Sequence, residues 1–293
     1  MTQQLITGDL WKQVCSRTQS ALTTGALQSI TTDLHILEQD GLKFMVRVAQ
    51  NLKRKAQDKS VAFNPFLPPD PDLTVADISS THLSVLNKFN VVENHLLIVT
   101  REFQHQERLL TLDDFEALWL CLGEYPSLGF YNGGAAAGAS QQHKHLQLVP
   151  LPLYPGLSAT PFDALYATAP REDGIHTLAQ LPFLHSWSPL PRGLVDDPSS
   201  AARQIESRYL QMLDSLGIDA VTGNDGDYQS APYNLLLTTE WMLLIPRTQE
   251  HCEEISINAL GYVGSLFVKE LSELDKIIRL GPMNLLKAVS KSR

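Results

Sequence analysis

Hydrophobic positions change period several times along the chain, and the changes outline its elements. Residues 83–89 (LSVLNKF) and 95–100 (HLLIVT) are short apolar runs that read as two strands, and 90–94 makes a tight connection between them, so a hairpin is predicted. Thr111 then stands as a helix N-cap, with Asp114 three residues on and Asp113 beside it at the positive end of the dipole. Phe115, Leu118, Trp119 and Leu122 recur at helical spacing, and Gly123 can stop the run. Gly129-Phe130-Tyr131 leads into a glycine- and alanine-rich loop, 132–140, and then into a polar strand over 143–150.

From 150 to 198 the periodicity fades, and nine of the 17 prolines fall there, which predicts a long surface connection or lid. Ile205, Tyr209, Met212, Leu213 and Leu216 mark one face of a later helix that Gly217 can cap. Residues 234–238 and 241–246 look like a second hairpin around Thr239-Glu240, and from Ser256, through Phe267, Leu271 and Ile278, the pattern reads as a closing helix. Strands cluster between helices without regular alternation, so the expected class is α+β with an antiparallel sheet packed by helices, rather than a doubly wound sheet. The predicted organisation is an N-terminal domain over 1–160, which holds the polar strand, a proline-rich connection over 161–200 and a C-terminal domain over 201–293.

Composition narrows the partners. The 293 residues, 43% hydrophobic and 19% charged, suffice for one large core or two smaller ones. Against 32 Asp and Glu stand 23 Lys and Arg, a net charge of −9 that neither half reverses. Non-specific duplex binding through counterion release is therefore disfavoured, and no nucleic-acid partner is expected. Anionic ligands would need backbone donors and a few aimed cations. Cys15, Cys121 and Cys252 are scattered, which disfavours a disulfide framework or a thiolate zinc site and fits a reducing cytoplasm. No signal sequence is visible at the start, and no apolar run approaches the roughly 20 residues that span a bilayer, so neither export nor a membrane is expected.

The chemistry concentrates in Phe130-Tyr-Asn-Gly-Gly-Ala-Ala-Ala-Gly-Ala-Ser-Gln-Gln-His-Lys-His-Leu-Gln-Leu-Val-Pro150. In a strand alternate residues share a face, so His143, His145, Gln147 and Val149 point one way and Lys144, Leu146 and Leu148 the other. Upstream, Gly133, Gly134 and Gly138 let backbone N–H groups wrap an anion, with Asn132, Ser140 and Gln141 as neutral donors. A donor-rich loop leading into a histidine stripe suits phosphoryl chemistry, in which an imidazole nitrogen attacks phosphorus while donors hold the equatorial oxygens. The same residues admit plainer readings. His-x-His on a strand can place two ligands on a metal, but the next same-face residue is Gln and no third good ligand stands near, so no protein-bound metal is expected. A hydrogen-bonded structural patch is the default for a lone His, and the loop alone could be a tight turn; joined, loop and stripe favour function.

At these residues the chain resembles the diadenosine tetraphosphate phosphorylases, or ATP adenylyltransferases, of the histidine-triad and galactose-1-phosphate uridylyltransferase superfamily. His143-Lys-His-Leu-Gln147 behind Gly138-Ala-Ser-Gln141 carries the resemblance. Asn64-Pro-Phe-Leu-Pro68, Leu86-Asn-Lys-Phe-Asn-Val-Val92, His95-Leu-Leu-Ile-Val-Thr100 and Glu102-Phe-Gln-His-Gln106 extend it on the N-terminal side. Asn234-Leu-Leu-Leu-Thr238, residues 241–247 and Asn258-Ala-Leu-Gly-Tyr-Val-Gly264 extend it on the C-terminal side, in family order.

The resemblance implies a histidine-triad-like sheet with a C-terminal extension completing the site. It implies phosphorolysis of diadenosine tetraphosphate to ATP and ADP, reversibly, through an adenylyl group on His145. Gln147, in place of the third histidine of the triad enzymes, would hold phosphoryl oxygen, and His143 would orient the nucleophile or contact phosphate. Asn132, Gly138, Ala139, Ser140 and Gln141 would cradle the nucleotide. Asn87 and Lys88 match a substrate-contacting pair, Lys53, with Arg54 and Lys55 as neighbouring candidates, lies near a substrate lysine, and 258–269 brings Asn258 and Lys269. Ser265 departs from the Met of yeast-type members. The implied ligands are nucleotides and phosphate, with Mg²⁺ arriving on the polyphosphate rather than as a resident cofactor. Lys88 could equally be an edge-strand lysine that blunts aggregation, and Lys269 a solvated residue on an amphipathic helix. His95, His105 and His251 read as structural. A sugar-phosphate uridylyltransferase would use the same nucleophile, but its His-Pro-His-Gly-Gln motif is altered here at Lys144 and Leu146. A non-catalytic dinucleoside polyphosphate sensor is the remaining alternative.

Overall fold

A computed structural model describes residues 3–50, 64–191, 193–194 and 197–293. Helix α1 (Leu10–Thr24) precedes a hairpin of β1 (Thr32–Gln39) and β2 (Leu42–Ala49). Then come β3 (Thr74–Asp77), β4 (His82–Leu86), β5 (Leu96–Thr100), α2 (Leu112–Leu122), β6 (Ser127–Gly133) and β7 (His145–Pro150). The middle of the chain supplies α3 (Asp163–Ala167), β8 (Ser186–Pro189), α4 (Pro198–Ser215) and a small hairpin, β9 (Ala220–Thr222) with β10 (Asp227–Gln229). The last part holds β11 (Tyr233–Leu237), β12 (Trp241–Pro246), β13 (His251–Cys252), β14 (Ile255–Ser256), β15 (Ser265–Val268), α5 (Leu271–Leu280) and α6 (Pro282–Val289).

Eight of these strands form one sheet in the order β3-β4-β5-β7-β6-β11-β12-β8, antiparallel throughout. The expected α+β class therefore holds. A second sheet, β1-β2-β15, contains a parallel pair, β2 with β15. Strand alternation divides the large sheet between two cores. Leu146 and Leu148 join Leu96, Ile98 and Leu235 under Phe115, Trp119, Ile205 and Met212 of α2 and α4. Val149, Phe130, Leu236 and Leu243 face the other way, into Phe44 and Val46 of β2, Phe162, Trp187 and Tyr262. Phe66 with Leu83, Val85, Leu97 and Val99 forms a third, smaller cluster.

The hairpin of β4 and β5, the helix behind Thr111 and the hairpin of β11 and β12 stand where the pattern places them, although β4 stops at Leu86. Two expectations fail. The proline-rich stretch is not a surface connection: Phe162, Tyr166, Phe183 and Trp187 are buried, and Trp187 stacks on Tyr166 at 5.1 Å and on Trp241 at 5.0 Å. Its strand β8 is short, lies at the sheet edge and ends in Pro189, a place where a missing N–H costs no ladder bond, which is why the proline density concealed it. Nor does a helix begin at Ser256. A 3₁₀ turn (Ala259–Val263) is closed by Gly264 at φ +83, where an added Cβ would lie 2.8 Å from the Lys43 carbonyl oxygen, and β15 follows before α5 begins.

Candidate active site

The motif strand starts later than its alternation suggests, at His145; His143 makes an isolated bridge to His105 instead. The stripe nevertheless forms. His143, His145 and Gln147 are all buried on the side that continues into Val149. The ring of His143 is fully engaged: with Nε2–H donating to the Thr100 carbonyl oxygen at 2.8 Å, Nδ1 accepts from Asn64 Nδ2 at 2.9 Å. His145 uses only one nitrogen. Its Nδ1 lies 2.8 Å from the His143 carbonyl oxygen, an acceptor only, so Nδ1 carries the proton and Nε2 keeps its lone pair. Among the described residues Nε2 has no hydrogen-bond partner. Phe66 packs against both rings, at 5.6 and 5.4 Å.

Gln147 is oriented from behind. Its Oε1 lies 3.0 Å from His95 Nε2, and His95 Nδ1 lies 3.2 Å from Asn87 Nδ2. Nδ1 must accept from the Asn87 amide, so Nε2 donates to Gln147 Oε1 and leaves the Gln147 NH₂ as the group available to a ligand. His95, read from sequence as structural, thus fixes which end of that amide is presented.

Burial pushes His145 down to about 4, with the His143 carbonyl pulling the other way and the His143 ring adding to the fall. Burial likewise pushes His95 down to about 4, although its bond to Gln147 opposes this. In an unfolded chain imidazoles titrate near 6.5, so between about 6.5 and 4 the unfolded state binds more protons than the folded one. The stabilisation is complete above about pH 6.5 and is lost as pH falls through the folded values, by up to about 1.4 kcal/mol per pH unit for each ring. Denaturant unfolding should therefore show lower stability at pH 5 than at pH 7. Equal stability would contradict the neutral buried imidazoles.

The loop is held by residues from the C-terminal part of the chain. Asn132 Oδ1 accepts from Asn234 Nδ2 at 2.8 Å and from the Ala259 N–H at 3.0 Å. Arg247, 3% exposed, donates to Asn234 Oδ1 and to the carbonyl oxygens of Ala137, Gln249, Ile257 and Val289. Gly138, at φ +90, comes so close that a Cβ would lie 2.9 Å from the Ile257 carbonyl oxygen and 3.0 Å from Asn258 Cα. Only glycine fits there, and the contact seats the C-terminal segment on the loop. Asn258 itself caps the 3₁₀ turn through Leu260 N–H. Ala139 and Gln141 are half-buried and Ser140 is exposed at the loop's end.

Gln106 joins loop and stripe. It accepts the His145 N–H at 2.9 Å and donates to the Asn132 carbonyl oxygen at 2.9 Å, replacing ladder bonds where β6 and β7 part beyond Phe130 and Gln147. Sequence placed Gln106, Asn64, Asn234 and Arg247 inside family-like blocks without assigning them roles. Only the pairing of distant strands reveals what they do.

Two of the predicted lysines are exposed. Lys88 is exposed in the turn after β4, its Nζ 5.8 Å from the Phe89 ring centroid, so it is no edge-strand residue. Lys269 is exposed ahead of α5 rather than on a helix, and its N–H donates to Glu273. Lys53, with Arg54 and Lys55, lies outside the described residues. Among the described residues no group of three or more His, Cys, Asp or Glu could hold a metal ion, and no helix is long and apolar enough to cross a membrane.

An antiparallel sheet thus carries a His-x-His-x-Gln stripe beside a glycine loop closed by a C-terminal segment, an arrangement suited to nucleotidyl transfer. The chain matches the Ap4A phosphorylase N-terminal domain over residues 1–168 and the ATP adenylyltransferase C-terminal domain over residues 179–292. It belongs to the Ap4A phosphorylase family of nucleotidyltransferases. Protein APA1 of Saccharomyces cerevisiae is 28% identical over 302 residues, which cover 93% of this chain and 90% of the yeast protein. Diadenosine 5',5'''-P1,P4-tetraphosphate phosphorylase 2 of the same yeast is 29% identical over 248 residues, 74% of this chain and 72% of the relative. The crystal structure of yeast Ap4A phosphorylase Apa2 in complex with AMP superimposes with a TM-score of 0.76 at 25% identity, covering 98% of each chain. The Apa2 complex with Ap4A shares the fold at a TM-score of 0.78 and 23% identity, over 98% of this chain and 99% of that one.

Proposed function

We propose that the enzyme converts diadenosine tetraphosphate and phosphate to ATP and ADP, reversibly, through an adenylyl group carried on His145. One observation supports this reading above the others: the His145 ring is held as the Nδ1–H tautomer with its Nε2 lone pair unengaged beside the Gln147 amide. In the first step Nε2 attacks the phosphorus of one AMP end, the P–N bond forms, the P–O bond to the remaining ATP breaks and ATP leaves. The ring then carries positive charge, and its Nδ1–H bond to the His143 carbonyl strengthens. In the second step a phosphate oxygen attacks the same phosphorus, the P–N bond breaks and ADP leaves with the ring restored.

The Gln147 NH₂ holds a non-bridging oxygen through both steps, and His143 orients the nucleophile through its carbonyl. The Ser140 and Gln141 N–H groups cradle phosphate, while those of Gly138 and Ala139 are spent on the Ala135 and Gly134 carbonyl oxygens and, with Asn132 and Asn258, shape that loop. Asn87 acts behind Gln147 through His95. Lys88, Lys269 and Lys53 are kept as substrate contacts on the family resemblance alone. Mg²⁺ rides on the polyphosphate and neutralises charge at the leaving oxygens. The three free cysteines suit the cytoplasm, where the nucleotide substrates are found.

Product analysis tests the reaction. With phosphate present the products should be ATP and ADP in equal amounts, and without phosphate turnover should stall after ATP release. AMP and ATP formed at full rate in phosphate-free buffer would make the protein a hydrolase.

A further inference from the structure

Beneath the histidine stripe lies a buried ion pair that the chemistry above leaves unused. Lys144, between the two histidines of the motif, is 0% exposed, and its Nζ lies 2.6 Å from Asp114 Oδ2, itself 1% exposed. The other two Lys144 donors reach the Leu109 carbonyl oxygen at 2.9 Å and Gln104 Oε1 at 3.4 Å. Asp114 also accepts the Thr111 N–H at 2.7 Å, closing the cap of α2, and its Oδ1 lies 3.1 Å from His82 Nε2. Burial alone would raise the Asp114 pKa, but Lys144 and His82 hold it well below the usual carboxylate range. Replacing such a pair by apolar residues is often neutral or stabilising, so stability by itself does not explain a charge on the face that Leu146 and Leu148 share.

The backbone around Lys144 is pinned as well: its N–H donates to the Gln104 carbonyl oxygen at 2.7 Å, and its own carbonyl accepts the Thr100 N–H at 3.3 Å. The segment 104–109 that the ammonium grips includes Gln106, which accepts the His145 N–H. The peptide joining His143 to Lys144 bears the carbonyl that holds His145 Nδ1–H. Pair, clamp and carbonyl form one connected unit.

We propose that Lys144 and Asp114 are positioning residues that lock the 143–145 backbone and the Gln106 clamp, so that the His143 carbonyl keeps the Nδ1 proton and Nε2 faces phosphorus. The inference rests on the adenylyl-His145 reading. It assigns the residue between the two histidines a task in the chemical step without contact with substrate.

The test uses the full-length K144M/D114N double variant, which removes both charges together and retains an acceptor for the α2 cap. Three quantities are measured on it and on wild type: nucleotide Kd, single-turnover adenylylation rate, and the His145 tautomer by ¹⁵N NMR of the labelled ring. The expected result is Kd within about threefold of wild type, adenylylation slowed about 10- to 100-fold, and a mixed tautomer. A folded double variant that adenylylates at the wild-type rate with Nδ1–H intact overturns the proposal, as does slowing fully accounted for by weaker binding. If the double variant does not fold, Asp114→Asn alone, which keeps the Lys144 bonds to Leu109 and Gln104, is read by the same criteria. Wild type that traps no adenylyl group on His145 would instead defeat the adenylyl-His145 reading itself.

Discussion

His145→Ala should lose essentially all turnover, a fall on the order of 10⁴- to 10⁶-fold, while still binding nucleotide. The magnitude follows from removing the only atom that forms the covalent bond, with the loop, Gln147 and the Gln106 clamp left in place. Because the ring titrates near 4, the wild-type adenylylation rate should be level from about pH 6 to 8 and fall below about pH 5. His143→Ala should be much milder. Its contribution to His145 is a backbone carbonyl that survives the substitution, and what is lost is the anchoring of the ring to Thr100 and Asn64. Steady-state rates with equilibrium nucleotide binding check both variants. A His145→Ala protein that keeps more than a small fraction of the wild-type rate contradicts the assignment.

Gln147→Ala should slow adenylyl transfer by about 10²- to 10³-fold with nucleotide still bound, the usual cost of one lost donor to a developing oxyanion. An amide cannot exchange a proton near neutrality, so its part is electrostatic. His95 gives that part a direction, since an Nε2–H aimed at Oε1 commits the NH₂ to the ligand side. Gln147→His should not restore wild-type behaviour: the imidazole would meet His95 with altered donor geometry and would bring a titration of its own. Single-turnover adenylylation by rapid quench separates the outcomes. A wild-type rate for Gln147→Ala would reduce Gln147 to a structural residue and leave the stripe with its two histidines.

The motif was legible because strand alternation is local: it sets His143, His145, Gln147 and Val149 on one face before any partner strand is known. The cap of α2 was legible for the same reason. What pairing supplies was not. His95 meets Gln147 only because β5 lies beside β7, and nothing near His95 in the chain announces that neighbour. Lys144 was assigned correctly to the leucine face, yet its carboxylate partner lies thirty residues away at a helix start, where an aspartate already has a sufficient local explanation. Between 150 and 198 the buried aromatics follow no period, since short strands and turns feed them into the core singly, and prolines at a sheet edge look like those of a loop. The segment after Ser256 misled in the opposite direction. Its apolar residues fit a helical spacing, but Gly264 turns the chain into a strand parallel to β2.

The most direct measurement is intact and peptide mass spectrometry of enzyme quenched at alkaline pH, where a phosphorus–nitrogen bond survives, after mixing with diadenosine tetraphosphate without phosphate. One adenylyl group per chain, located on His145, absent from His145→Ala and discharged as ADP when phosphate is added, is the predicted result. Turnover by wild-type enzyme with no adduct, or with the adduct on another residue, would contradict it.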